Sequence, residues 1–250
     1  MPSPAAARPL LQLEGVGVGG HAGRPRLRPL SFSLHGGERV ALIGASGAGK
    51  SSLISLLNGS LPPDMGRISW FGAAPQPGPP SPRQRRRIGT LWQDLRLLET
   101  LTVQQNLNAG CLPHWGLGRS LLNLLLPLDS EACRGVLRRV RLDPGCLALR
   151  PAQLSGGQRQ RVALARLLRQ DPDLWLADEP MASLDPTLVV DLLELLFERV
   201  TAERALLLSL HRPDLLAGFD RVLALREGEL VFDGTAAQLD HPWLQRLYSR

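Results

Sequence analysis

Residues 39–58 hold one stretch of this chain to a single local architecture. Arg39-Val40-Ala41-Leu42-Ile43 is a short apolar run, partly β-branched, as a buried strand requires. Gly44-Ala45-Ser46-Gly47-Ala48-Gly49-Lys50-Ser51 follows and fits G-x-x-x-x-G-K-[ST] at every position. Ser51-Ser52-Leu53-Ile54-Ser55-Leu56-Leu57 then carries apolar residues at helical spacing, and Asn58-Gly59 is a stop signal. Strand, glycine loop and helix in this order form a phosphate cradle. The glycines let the backbone approach closely, successive N–H groups turn inward as an anion nest, and the helix N-terminus adds partial positive charge.

Lysine usage sharpens this reading. Of 29 Lys and Arg residues, Lys50 is the one lysine. A compact ammonium on a flexible stem reaches between phosphate oxygens in a way that a planar guanidinium does not. The expected ligand is a nucleoside triphosphate, with Lys50 bridging the β- and γ-phosphates and the Ser51 hydroxyl on Mg²⁺.

At 250 residues the chain is long enough for one large domain, or a core with a subdomain. Its net charge of +6 is compatible with an anionic partner, but an Arg-for-Lys bias explains it as well. The cluster Arg83, Arg85, Arg86, Arg87 follows a Pro-rich loop and reads as a solvated lead-in to a strand. Cys111, Cys133 and Cys146 are odd in number, widely spaced and without CxxC, which argues against a metal site or a disulfide framework. The N-terminus lacks the apolar stretch of a signal peptide. Leu121 to Leu128, broken by Asn123 and Pro127, is too short to cross a bilayer. A cytosolic protein is expected, with any membrane role left to separate spanning partners.

Strand-like texture occupies Leu11 to Val18, expected as an edge strand, then Leu30 to Leu34, Gly66 to Gly72 and Ile88 to Trp92. From Thr102 to Gln170 helical patterns dominate. Strands return at Leu174 to Ala177, Ala205 to Leu210, Arg221 to Leu225 and Glu229 to Phe232, with a helix over Thr187 to Val200. Alternation of this kind predicts a largely parallel sheet with a helical insertion.

Two further motifs carry chemistry. Leu174-Trp175-Leu176-Ala177-Asp178-Glu179 is an apolar strand ending in two carboxylates, costly to bury unless a cation or donors await them. Beside a phosphate loop, Asp178 is expected to hold Mg²⁺ and Glu179 to orient or deprotonate a water. Leu154-Ser155-Gly156-Gly157-Gln158 reads as a capping box, Ser-x-x-Gln, for a helix over Gly157 to Gln170. Two glycines in a first turn weaken a helix, so this helix tip is also expected to meet something at close range.

The ordered set resembles the ABC ATPase family that powers membrane transporters. The resemblance implies an α/β fold: a P-loop ATPase core with a mostly parallel sheet, an antiparallel β edge and an inserted α-helical subdomain. It covers about residues 10–235, with the core at 10–92 and 171–235, the helical subdomain at about 93–170, and a tail at 236–250. It also implies ATP and Mg²⁺ as ligands. Gly44, Ala45, Ser46, Gly47, Ala48, Gly49, Lys50, Ser51 and Ser52 are implied to bind nucleotide. Ser155, Gly156, Gly157 and Gln158 are implied to bind the ATP of a second copy, packed head to tail as a homodimer. Ser51, Gln93 and Asp178 are the implied metal ligands, and Glu179, His211 and Gln93 the implied catalytic residues. Ser183-Leu184-Asp185 matches the family's D-loop.

One departure stands out. The family usually stacks an aromatic on adenine at the end of the first strand, where this chain has Gly19-Gly20-His21. His21 is the plausible stand-in, and weak discrimination between ATP and GTP is expected. Asn108-Ala109-Gly110, Trp115, Arg119-Ser120-Leu121, Pro180 to Pro186, Ser209-Leu210-His211 and Val231 to Gly234 resemble the phosphonate-import ATP-binding subfamily. That likeness implies permease subunits, an indirect link to a periplasmic solute-binding protein, no nucleic-acid partner, and a peripheral place on the cytoplasmic face of the inner membrane. The rival readings are another importer, a lipoprotein or peptide exporter, or a soluble ABC ATPase.

Overall fold

The computed structural model describes residues 9–20, 25–76, 78–181 and 184–248. In chain order its elements are β1 (Leu11–Val18), β2 (Leu27–Leu34), β3 (Arg39–Ile43), α1 (Lys50–Leu57), β4 (Met65–Trp70), α2 (Pro82–Arg86), β5 (Ile88–Leu91), α3 (Val103–Ala109), α4 (Leu117–Leu125), α5 (Ser130–Arg139), α6 (Gly156–Gln170), β6 (Leu174–Ala177), α7 (Pro186–Phe197), β7 (Ala205–Ser209), β8 (Arg221–Arg226), β9 (Glu229–Gly234) and α8 (His241–Tyr248). The chain divides into two compact units. One comprises Met1–Ile88, Asp173–Glu179 and Phe197–Arg250; the other comprises Gly89–Pro172 and Pro180–Leu196.

The first unit carries two sheets. β6, β7, β3 and β8 are neighbours in that order and run parallel, and β9 closes the edge antiparallel to β8. Val40 to Ile43, Leu174 to Ala177 and Ala205 to Leu208 are buried throughout. Continuous apolar runs are what parallel strands covered on both faces need. The register sets Leu42 opposite Ser209 and Ala177 opposite Leu208, so β3, β6 and β7 end level with one another. Ligand crevices in α/β sheets form at such carboxyl ends.

The second sheet is antiparallel, in the order β2-β1-β4. Here an expectation is corrected: β1 is the central strand, paired on both sides, and not an edge. Its small and apolar alternation reads like an edge because its second partner, β4, lies more than 40 residues downstream. The arginine cluster is exposed and leads into β5, as expected, and part of it is helical. Pro82–Arg86 is a short helix with a capping box between Ser81 and Gln84, and Arg83, Arg85 and Arg86 form its last turn. Arg87, though exposed, has two partners. It bonds Asp173 at 2.5 Å and its guanidinium lies 3.9 Å from the centre of the Phe71 ring.

The second unit is mainly helical. Its core is the packing of α3 and α5 on α6 around Val103, Leu107, Cys133, Leu137 and Val162. A buried polar hub ties it together. Asn108 donates to Asn123 Oδ1 at 2.9 Å and to the Leu128 carbonyl at 2.8 Å, and accepts from Arg169 at 3.0 Å. Arg169 also pairs with Asp129 at 3.0 Å. The three cysteines are free and buried. No helix among the described residues is long and apolar enough to cross a membrane.

Candidate functional site

Gly44 to Gly49 form the expected loop. Gly44, Gly47 and Gly49 have φ of 152°, 80° and 105°, values that L side chains rarely adopt. A Cβ on Gly44 would strike the Leu225 carbonyl, and one on Gly49 would lie 2.9 Å from the Arg26 carbonyl. The loop is therefore pressed against β8 and β2. α1 begins at Lys50 with no side-chain cap and no acidic residue in its first turn. Its first N–H groups keep their bonding capacity, and its positive end is not offset.

Lys50 is 5% exposed and curls back over the loop, donating to the carbonyls of Gly44 at 2.9 Å and Ala45 at 3.3 Å. Its ammonium lies 3.8 Å from Glu179 Oε1. Burial pushes Lys50 below its ordinary pKa, and the charges of Glu179 and Asp178 act against that shift. A buried ammonium facing a glycine nest is a phosphate-binding arrangement, so the residues present fit a polyphosphate.

The second wall comes from the ends of β6 and β7. Asp178 is 2% exposed. The Ser209 hydroxyl donates to Asp178 Oδ1 at 2.8 Å and accepts from the Glu179 N–H at 2.8 Å. Ser209 is fully buried, and motif reading gave it no role. The only signal was its place two residues before His211. Glu179 has φ of 49°, a left-handed backbone that a non-glycine residue adopts at a cost. That turn carries its carboxylate toward both Lys50 and His211, whose Nε2 contacts Glu179 Oε1. A carboxylate and an imidazole in contact can accept and relay a proton.

Tyr248, the one tyrosine, also reaches the loop. The end of α8 brings its phenol, shut off from solvent and without a hydrogen-bond partner among the described residues, to the cavity beside Ala45 to Ala48. The residues assigned to the C-terminal tail thus buttress the loop, which the sequence did not signal.

Lys50, Ser51, Asp178, Glu179 and His211 all belong to the first unit. Gln93 and Ser155 to Gln158 belong to the second. There, Ser155 caps α6: its hydroxyl accepts from the Gln158 N–H at 3.3 Å and its own N–H donates to Gln158 Oε1 at 2.8 Å. A Cβ on Gly156 would meet nothing within 4 Å, so packing within the chain does not demand glycine there. The segment after Gln93 is fastened to α6. Arg166 donates to the carbonyls of Arg96 at 2.6 Å and Leu95 at 2.7 Å, and Arg159 pairs with Glu99. Arg96 in turn lies over the Trp92 ring at 3.7 Å. His21 and Ser183 lie outside the described residues.

The ABC transporter family model matches residues 27–182. The chain belongs to the ABC transporter family, as an ATP-binding, ATP-hydrolysing subunit. Within the family it is similar to the phosphonates import ATP-binding protein PhnC 1 of Pseudomonas savastanoi pv. phaseolicola, at 43% identity over 96% of this chain and 91% of the relative. A protein of the same name from Pseudomonas aeruginosa is 41% identical with the same coverage. A solved ATP-binding subunit of an ABC transporter superposes with a TM-score of 0.74 at 30% identity, over 90% of each chain. The dimeric cassette MJ0796 with ADP and Pi has the same fold, at a TM-score of 0.79 and 23% identity, over 90% of this chain and 98% of that one.

Proposed function

We propose that this chain is the ATPase of a membrane importer for phosphonate-like oxyanions. It is placed as a peripheral subunit on the cytoplasmic face of the inner membrane. The observation that carries the catalytic part is the convergence of a buried Lys50, Glu179 and His211 beside the glycine loop. The relatives named as phosphonate importers support the solute class.

In this reading the backbone N–H groups of Gly47 to Ser52 and the Lys50 ammonium hold the phosphates of ATP. Mg²⁺ would be held by Ser51 and Asp178 and would supply charge neutralisation at the phosphate oxygens. Ser209 fixes the Asp178 carboxylate and the Glu179 backbone. Glu179 orients and deprotonates the attacking water, and His211 steadies the Glu179 carboxylate. Ser155 to Gln158, at the exposed tip of α6, are assigned to the ATP of a second copy, which makes the working form a dimer. The segment after Gln93, tied to α6 by Arg159 and Arg166, is assigned to the permease. Domain bounds of 10–92 and 171–235 for the core, 93–170 for the helical part and 236–250 for the tail belong to this proposal. So do an indirect dependence on a periplasmic solute-binding protein and the absence of a nucleic-acid partner.

The test is reconstitution of the chain with its permease and solute-binding protein in vesicles. Methylphosphonate should stimulate ATP hydrolysis, and sulfate or a peptide should not. Stimulation by an unrelated solute alone would overturn the substrate class while leaving the ATPase intact.

A further inference from the structure

A nucleotide held by the glycine loop must also place its base. Two cavities in the first unit touch the glycine loop. One, of about 170 Å³, flanks Ala45 to Ala48 and is closed by Leu247 and Tyr248. The other, of about 570 Å³, is lined by Gly47, Gly49 and Ser52 on one side and by Arg26, Arg28 and Glu227 on the other. Ligand pockets run from about 300 Å³ upward, so only the second can take a nucleoside. A triphosphate whose terminal group sits by Lys50 and Glu179 must send its base out along the remaining loop residues, and that path enters this cavity.

The two arginines differ. Arg28 is ion-paired with Glu229 at 3.5 Å, and its N–H donates to the Gly228 carbonyl at 2.8 Å. Arg26 is exposed, and among the described residues its guanidinium takes part in no ion pair. The Arg26 backbone is nevertheless fixed, because its carbonyl packs against Gly49 and Gly228. A planar cation on an anchored stem beside the loop suits the face of a purine: guanidinium planes stack on bases, and stacking is indifferent to base identity.

We infer that Arg26 stacks on the base of the bound nucleotide. This rests on the ATP-binding reading above and adds the residue that recognises the base. It gives a physical reason for weak discrimination between ATP and GTP.

The experiment is calorimetric titration of the full-length chain with Mg-ATP, Mg-GTP and Mg-tripolyphosphate, the last having the phosphates and no base. Arg26→Ala should weaken ATP and GTP alike, by about five- to 150-fold, as expected for loss of one stacking contact. Tripolyphosphate affinity should stay within about twofold, since no stacking is lost. Arg26→Lys keeps the charge without the plane and should behave as Arg26→Ala. Equal weakening of tripolyphosphate, full recovery in Arg26→Lys, or unchanged ATP affinity in Arg26→Ala would each overturn the inference. A Lys50→Ala chain that bound all three ligands unchanged would sink the nucleotide site itself, a different failure.

Discussion

Ser209→Ala offers a sharp perturbation of the site. The hydroxyl is fully buried and makes two bonds of 2.8 Å, one to the Asp178 carboxylate and one from the Glu179 N–H. Alanine removes both. The bond to an ionised carboxylate is worth about 1.5–3 kcal/mol, and a buried N–H left without a partner costs about 1–3 kcal/mol. The two effects share one side chain and do not add fully, so a loss of about 3 kcal/mol is expected. For a chain of this size that lowers Tm by about 6–12 °C. Hydrolysis should fall further than stability explains, because Ser209 sets both the Asp178 rotamer and the left-handed turn at Glu179. Thermal melts should therefore be paired with phosphate release at a temperature where the variant is folded. A Tm within about 2 °C of the parent, a shift worth less than 1 kcal/mol, together with an unchanged kcat, would refute this account of the wall.

Other expectations follow from the same geometry. Glu179→Gln should cut kcat by about 10²–10⁴-fold, as loss of a general base does, while nucleotide affinity is kept; rapid-quench and equilibrium binding separate the two. Gly44→Ala forces a Cβ into the Leu225 carbonyl at a left-handed φ, so it should lose nucleotide binding in equilibrium dialysis. Burial pushes the Cys133 thiol up to about 11 from an ordinary value of 9.0. The unfolded chain therefore releases that proton first, and the stability advantage of the parent over Cys133→Ala should shrink as pH rises from 9 toward 11, read by urea melts at each pH.

Much of this molecule was legible because its chemistry is local. The loop Gly44 to Ser51 is contiguous, and its strand and helix flanks identify themselves by period. Asp178 and Glu179 end an apolar strand, and the Ser155 capping box is readable from four residues. What was not legible depends on register and on distant partners. β1 reads as an edge because β4 is remote in sequence. Ser209 gains its role only when β7 pairs with both β3 and β6 and its hydroxyl meets two residues from a different strand. Tyr248 sits in an unremarkable tail and reaches the cavity beside the loop only because α8 folds back. Arg26 looks like one arginine among many until the packing of its carbonyl on Gly49 places it beside the loop.

Sedimentation velocity of the Glu179→Gln chain, with and without Mg-ATP, tests the central claim most directly. A glycine cradle completed by the α6 tip of a second copy should convert monomer to dimer when Mg-ATP is added, and Ser155→Arg should abolish the conversion. A chain that stays monomeric with saturating Mg-ATP, even when its permease is supplied, would contradict the account.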